Sequence, residues 1–184
     1  GSEFHEILSI TNAFAMMKDP HSKPIFSRIV IGSPLLTTEA DYEKAVIALE
    51  EEMKQYTSKE GDVLVLVGHG TEHPANSCYS QLQNILQKHY GPKVFVGTVE
   101  GYPGMEDVLL QLKNVGAQRV TLKTFMLVAG DHARNDIAGD EADSWKTVLK
   151  KSGYEVQTTL TGLGENEKFV QIWIDHIRDL LTKE

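Results

Sequence analysis

The sequence predicts an α/β protein, built as a parallel four-stranded sheet with helices on both faces. Three observations predict it. From residue 63 onward, short apolar runs alternate with amphipathic stretches, the pattern of β–α units joined by right-handed crossovers. The first of these runs, Val63-Leu64-Val65-Leu66-Val67, is unbroken rather than alternating, so its strand expects burial on both faces. Glycine or proline punctuates the junctions, as at Gly68, Gly91-Pro92, Gly116 and Gly153.

Taken in order, the opening is the least regular part. Phe4, Ile7, Leu8, Phe14 and Met17 form a partial helical stripe that Pro20 and Pro24 stop. Residues 28–32 read as a short strand, turned by Ser33-Pro34. Thr38 then caps a helix whose Tyr42, Ala45, Val46, Leu49 and Met53 share one face. The polar stretch 56–62 reads as a linker or domain boundary. Strand 63–67 leads through a loop holding His69 and His73 to a helix from about Pro74, with Tyr79, Leu82, Ile85 and Leu86 inward. Strand 93–99 empties at Glu100, and the helix after it carries Met105, Val108, Leu109 and Leu112. Residues 119–128 form the longest apolar run and are expected to be a strand; the loop Ala129-Gly130-Asp131-His132-Ala133-Arg134-Asn135-Asp136 follows. A helix over 141–152 and a strand over 154–160 come next. After Thr161-Gly162-Leu163-Gly164 the final helix places Phe169, Ile172, Trp173, Ile177, Leu180 and Leu181 on its apolar side.

Composition narrows the function classes. At 184 residues and 41% hydrophobic, the chain can bury a core of one domain, or one and a half. A net charge of −8 argues against nucleic acid or an anionic membrane surface as partner. No apolar run approaches the roughly 20 residues that span a bilayer, and no basic-then-apolar leader is visible. A single cysteine, Cys78, excludes an internal disulfide and fits a reducing compartment, so a cytoplasmic location is expected.

The polar residues fall at telling places. His69, Glu100 and His132 follow three successive strands, so all three face the carboxyl rim, where open α/β sheets bind ligands. Two imidazoles and a carboxylate suit a borderline divalent metal such as Co, Ni, Zn or Fe(II). Three protein ligands leave coordination positions open, as catalysis or metal transfer requires. Each residue alone also has an ordinary reading: a loop histidine bonded to backbone, a solvated turn carboxylate, an Asp–His pair. Their joint placement favours a metal or acid–base site. Asp131 or Asp136 is the expected partner fixing a histidine tautomer, with loop capping as the other reading. No Gly-x-Ser-x-Gly elbow, Walker loop or Gly-x-Gly-x-x-Gly follows a strand, and Cys78 lies within a helix as a small core residue.

Gly68-His69-Gly70, Val99-Glu100-Gly101-Tyr102-Pro103, the run from Met126 to Asp136, Asp143-Ser144-Trp145-Lys146 and Gly162-Leu163-Gly164-Glu165-Asn166 resemble the sirohydrochlorin cobaltochelatases of the CbiK family. Gly32-Ser33-Pro34-Leu35-Leu36 and Asp41-Tyr42 also fit, so the likeness covers roughly residues 25–182, with 127–136 its most specific part. The resemblance implies a chelatase-like α/β/α fold and ATP-independent insertion of Co2+ into sirohydrochlorin, or its precorrin-2 form, in anaerobic cobalamin synthesis. It implies His69, Glu100 and His132 as metal ligands, with the histidines also able to take pyrrole protons. No organic cofactor is expected. Arg134, His73 and Lys123 are the expected groups for the substrate's carboxylates. The family has two similar domains. Residues 1–57 match the closing part of the first and 58–184 the second, metal-binding one, with the last helix expected to pack back on the N-terminal part. Three strands of the first sheet are then unaccounted for, and a homo-oligomer or a complementing polypeptide is expected. Competing readings are a metal- or tetrapyrrole-binding fragment without turnover, and a related iron or nickel chelatase.

Overall fold

The computed structural model describes residues 2–182; Gly1 and residues 183–184, the ends of the two expected segments, lie outside the described residues. Four parallel strands, β1 (Asp62–Gly68), β2 (Val94–Thr98), β3 (Arg119–Thr124) and β4 (Glu155–Thr159), form one sheet in the order β2-β1-β3-β4. The first crossover runs one way from β1 and the next jumps back over it to β3. The carboxyl ends of β1 and β3 therefore flank the switch point, where such sheets open a crevice.

The period-two alternation of β1 splits its side chains between two cores. Leu64 and Leu66 face helices α2 (Glu39–Ala48), α3 (Glu50–Tyr56), α4 (Ser77–Tyr90) and α7 (Glu167–Thr182), in one cluster with Tyr42, Val46, Met53, Leu82, Leu86, Phe169 and Ile172. Val63, Val65 and Val67 face α5 (Met105–Asn114) and α6 (Trp145–Lys151), among Val108, Leu112, Ile137, Trp145 and Leu149. Both faces of β1 are dry because both are covered, as the unbroken apolar run requires. The helix expected after Thr38 forms with a capping box, since the Thr38 hydroxyl accepts from Asp41 N–H and the Asp41 carboxylate accepts from Thr38 N–H. Helices α2 and α3, which precede the stretch 56–62, pack into the same cluster as the sheet.

Several expectations are corrected. Residues 28–32 form no strand. An isolated extended segment needs a neighbour for its backbone groups, and this one instead runs beside α7, where the Arg28 guanidinium donates to the Leu180 carbonyl at 3.2 Å. Strand β3 stops at Thr124 rather than 128, since Phe125 N–H makes the last bond to β1, at Val67 O, and the chain then turns onto Gly162 and Gly164. Leu127 and Val128 are thereby exposed at the rim instead of buried. Helix α6 begins at Trp145, not 141, because Ser144 and not an earlier residue caps it through Thr147 N–H at 3.2 Å. The N-terminal helix α1 (Ser2–Ala15) forms as expected but stays largely exposed, with Phe14 edge-on to Phe26 at 6.5 Å. In α7, Phe169 and Ile172 are buried, whereas Ile177 and Leu181 face outward. The same helix packs against α2 and contacts residues 28 and 33.

Candidate metal centre

Each member of the trio is delivered by a strand end. His69 follows Gly68, which must be small because a Cβ there would sit 2.3 Å from the Tyr79 ring. Gly70 takes a left-handed φ of +86°, and a Cβ on it would lie 2.4 Å from the Glu100 carbonyl oxygen. That close approach allows Val99 N–H to bond Gly68 O at 3.0 Å and Glu100 N–H to bond His69 O at 2.7 Å. The ends of β1 and β2 are thus zipped past their last regular pair, and Glu100 is brought beside His69. His132 arrives from β3 at the start of a π-helical turn, Ala133–Ile137, pinned by the buried Ala133 and Ile137.

One ligand atom from each of His69, Glu100 and His132 lies within 4.8 Å of the other two. The imidazoles meet edge to face, ring centroids 4.6 Å apart at 87°, with their Nε2 atoms 3.2 Å apart. His69 Nδ1 sits 3.0 Å from Gly70 O and 3.9 Å from a Glu100 carboxylate oxygen. His132 Nδ1 sits 2.6 Å from Asp136 Oδ2. For metal–nitrogen bonds of about 2.1 Å, the 3.2 Å separation of the Nε2 atoms corresponds to an angle of about 100° at a shared ion, within the range of tetrahedral and octahedral sites. His69 and Glu100 are exposed and His132 half-exposed, so an ion there keeps open positions.

Beside the trio opens a cavity of about 520 Å3, lined by Glu3, His69, Gly70, Thr71, Glu72, Glu100 and Gly101. The first turn of α1 forms one wall, and His5 of that helix packs edge-on to His73 at 5.5 Å. Three carboxylates make this mouth attractive to a cation.

The other expected site residues, His73, Lys123 and Arg134, sit in three different settings. His73 Nδ1 accepts from Ala75 N–H at 3.1 Å, capping the short turn Pro74–Asn76. Lys123 is buried, its ammonium 2.9 Å from Thr161 Oγ1 and 3.4 Å from the Glu52 carboxylate, and it lines a separate cavity of about 610 Å3. Arg134 is exposed on the turn that carries His132. Burial pushes the Cys78 thiol up from its ordinary range, in keeping with a core residue.

Two supports escaped the sequence reading. Asn76 accepts from Thr71 N–H at 2.9 Å and donates to Tyr102 O at 2.5 Å, tying the His69 loop to the Glu100 loop. The Tyr79 hydroxyl accepts from Gly70 N–H at 3.3 Å. An asparagine ahead of a helix signals a cap, and nothing in its spacing points to a partner 26 residues away.

The family model for cobalt chelatase, CbiK, matches residues 1–182. The chain belongs to the CbiK cobalt chelatase family. Among similar proteins, the sirohydrochlorin cobaltochelatase of Salmonella typhimurium is 35% identical over 160 residues, 87% of this chain and 60% of that protein. The sirohydrochlorin cobaltochelatase CbiKC of Nitratidesulfovibrio vulgaris is 33% identical over 177 residues, 96% of this chain and 60% of that protein. The chain therefore spans about 60% of the length of these two relatives.

Proposed function

We propose that the chain carries the metal-inserting half of a sirohydrochlorin cobaltochelatase, placing Co2+ into the tetrapyrrole without ATP or an organic cofactor. The observation that carries this reading is the convergence of His69, Glu100 and His132 at one open, acidic mouth. Insertion exchanges two pyrrole N–H protons for one dication. The imidazoles hold Co2+ through Nε2, and Glu100 lowers the net charge of the centre. As the ion passes to the ring nitrogens, the freed Nε2 lone pairs become the acceptors for the departing protons. Arg134, exposed beside His132, is the cation proposed to meet the substrate's carboxylates. Exposed Leu127 and Val128, on the same rim, offer apolar surface to the macrocycle.

The proposed setting is the cytoplasm, in keeping with a single, free Cys78. Residues 1–57 are proposed to belong to a first, similar domain and 58–184 to the second. The exposed Ile7, Ile10, Phe14, Phe26, Val30, Ile177 and Leu181 support this, as apolar surface of the sort that a further domain or a second copy covers.

The test mixes the purified chain with sirohydrochlorin and Co2+ and follows the absorbance change against a no-protein control. Insertion that His132→Ala abolishes is the expected result. Cobalt binding without insertion would instead make the chain a metal-binding portion lacking turnover, and faster insertion of Fe2+ or Ni2+ would reassign the metal.

A further inference from the structure

We propose that Asp136 is a positioning residue that holds His132 in the tautomer protonated on Nδ1, and so aims its Nε2 lone pair at the metal; this rests on the reading of the centre given above. Asp136 lies four residues after His132 across the π-helical turn, and Ala138 N–H closes that turn onto Ala133 O at 3.1 Å. Because Ala133 and Ile137 are buried on either side of Arg134 and Asn135, the backbone carrying both His132 and Asp136 is anchored. The Asp136 carboxylate accepts from His132 Nδ1 at 2.6 Å, the length of a charge-assisted bond. Asp131, the neighbouring carboxylate, is exposed, and the bond to His132 is made by Asp136.

Across the centre the same device appears in another form. The Gly70 carbonyl can only accept, so its place 3.0 Å from His69 Nδ1 favours the tautomer protonated there. With both rings in that tautomer, unprotonated Nε2 atoms would face each other at 3.2 Å, an arrangement that two lone pairs alone disfavour and a shared cation satisfies. A backbone carbonyl orients one imidazole and a carboxylate the other, and the carboxylate also makes its ring the more electron-rich ligand.

Long-range 15N–1H correlation spectra of the metal-free chain, recorded where His132 is neutral, read the protonated nitrogen directly. Nδ1–H is expected in the wild type and in Asp136→Asn, whose amide oxygen still accepts, and loss of that preference is expected in Asp136→Ala. Co2+ titration should show affinity about 10–100-fold weaker for Asp136→Ala and largely restored in Asp136→Asn, with thermal midpoints unchanged. An Nε2–H ring in the wild type overturns the proposal. So does an Asp136→Ala variant that keeps Nδ1–H, or one that loses it with no loss of cobalt affinity. A wild type that binds no Co2+ contradicts the reading of the centre, and the spectra alone then decide whether Asp136 holds the ring.

Discussion

His69 and Glu100 are exposed, and what positions them is backbone rather than packing. Gly70 gives its carbonyl to one ring and lets the Glu100 loop approach, and Asn76 joins the two loops. Lys123 shows the opposite case, a charge held by burial. Its ammonium is caught between Glu52 and Thr161, with side-chain exposures of 7% for Lys123 and 15% for Glu52. Lys123→Met should therefore cost about 3 kcal/mol in urea unfolding, because a nearly buried carboxylate loses its counter-ion. A substrate role for Lys123 would show the reverse, a raised KM at unchanged stability. The trio itself was legible in the sequence, since each ligand-type residue closes an apolar run whose direction is set by the β–α alternation. Lys123 was not, because a lysine at a strand end reads as a rim cation until the fold shows Glu52 opposite it.

The elements that were legible are those whose pattern is local and whose burial is two-sided. Strand β1 and helices α4 and α5 follow directly from their periodicity. The failed strand at 28–32 has the same composition, but strands are formed by partners and none pairs with it among the described residues. Its neighbour Ser33 is instead tied into a three-way junction. His176 of α7 lies between two acceptors, with Nδ1 3.0 Å from Ser33 O and Nε2 2.8 Å from the buried Asp41 carboxylate, so its doubly protonated form satisfies both. Burial pulls the His176 pKa down, but the bonds to Asp41 and Ser33 and the charge of Asp41 outweigh it against the opposing Lys44, and the net shift is upward from 6.5. Burial raises the Asp41 carboxyl, yet the Thr38 backbone bond and His176 outweigh it, and the net shift is downward from 3.8. The Asp41 contribution is present above its ordinary value of 3.8 and lost as pH falls through the lowered one. The His176 contribution is full below 6.5 and fades as pH rises through the raised value. His176→Gln should thus lower unfolding stability by about 2 kcal/mol near pH 6, with the deficit shrinking toward pH 9. A deficit constant across that range would contradict a charged junction.

Over the whole molecule, a chain of net charge −8 gathers Glu3, Glu72 and Glu100 around the proposed metal-binding trio at the switch point of its sheet. That field favours cation entry and would oppose the proposed polyanionic substrate, against which Arg134 is the proposed local counterweight. The three-layer fold was readable from the β–α rhythm, whereas the apolar exposure of α1 and of the end of α7 was not. Hydrophobic stripes announce burial without saying which surface supplies it. The central claim is that residues from three successive strand ends form one Co2+ centre. Anomalous diffraction at the cobalt edge from crystals of the Co2+-loaded chain tests it most directly. The account predicts one peak at about 2.1 Å from the Nε2 atoms of His69 and His132, within bonding distance of Glu100. A peak elsewhere, or one that persists in the His69→Ala, His132→Ala double variant, would contradict it.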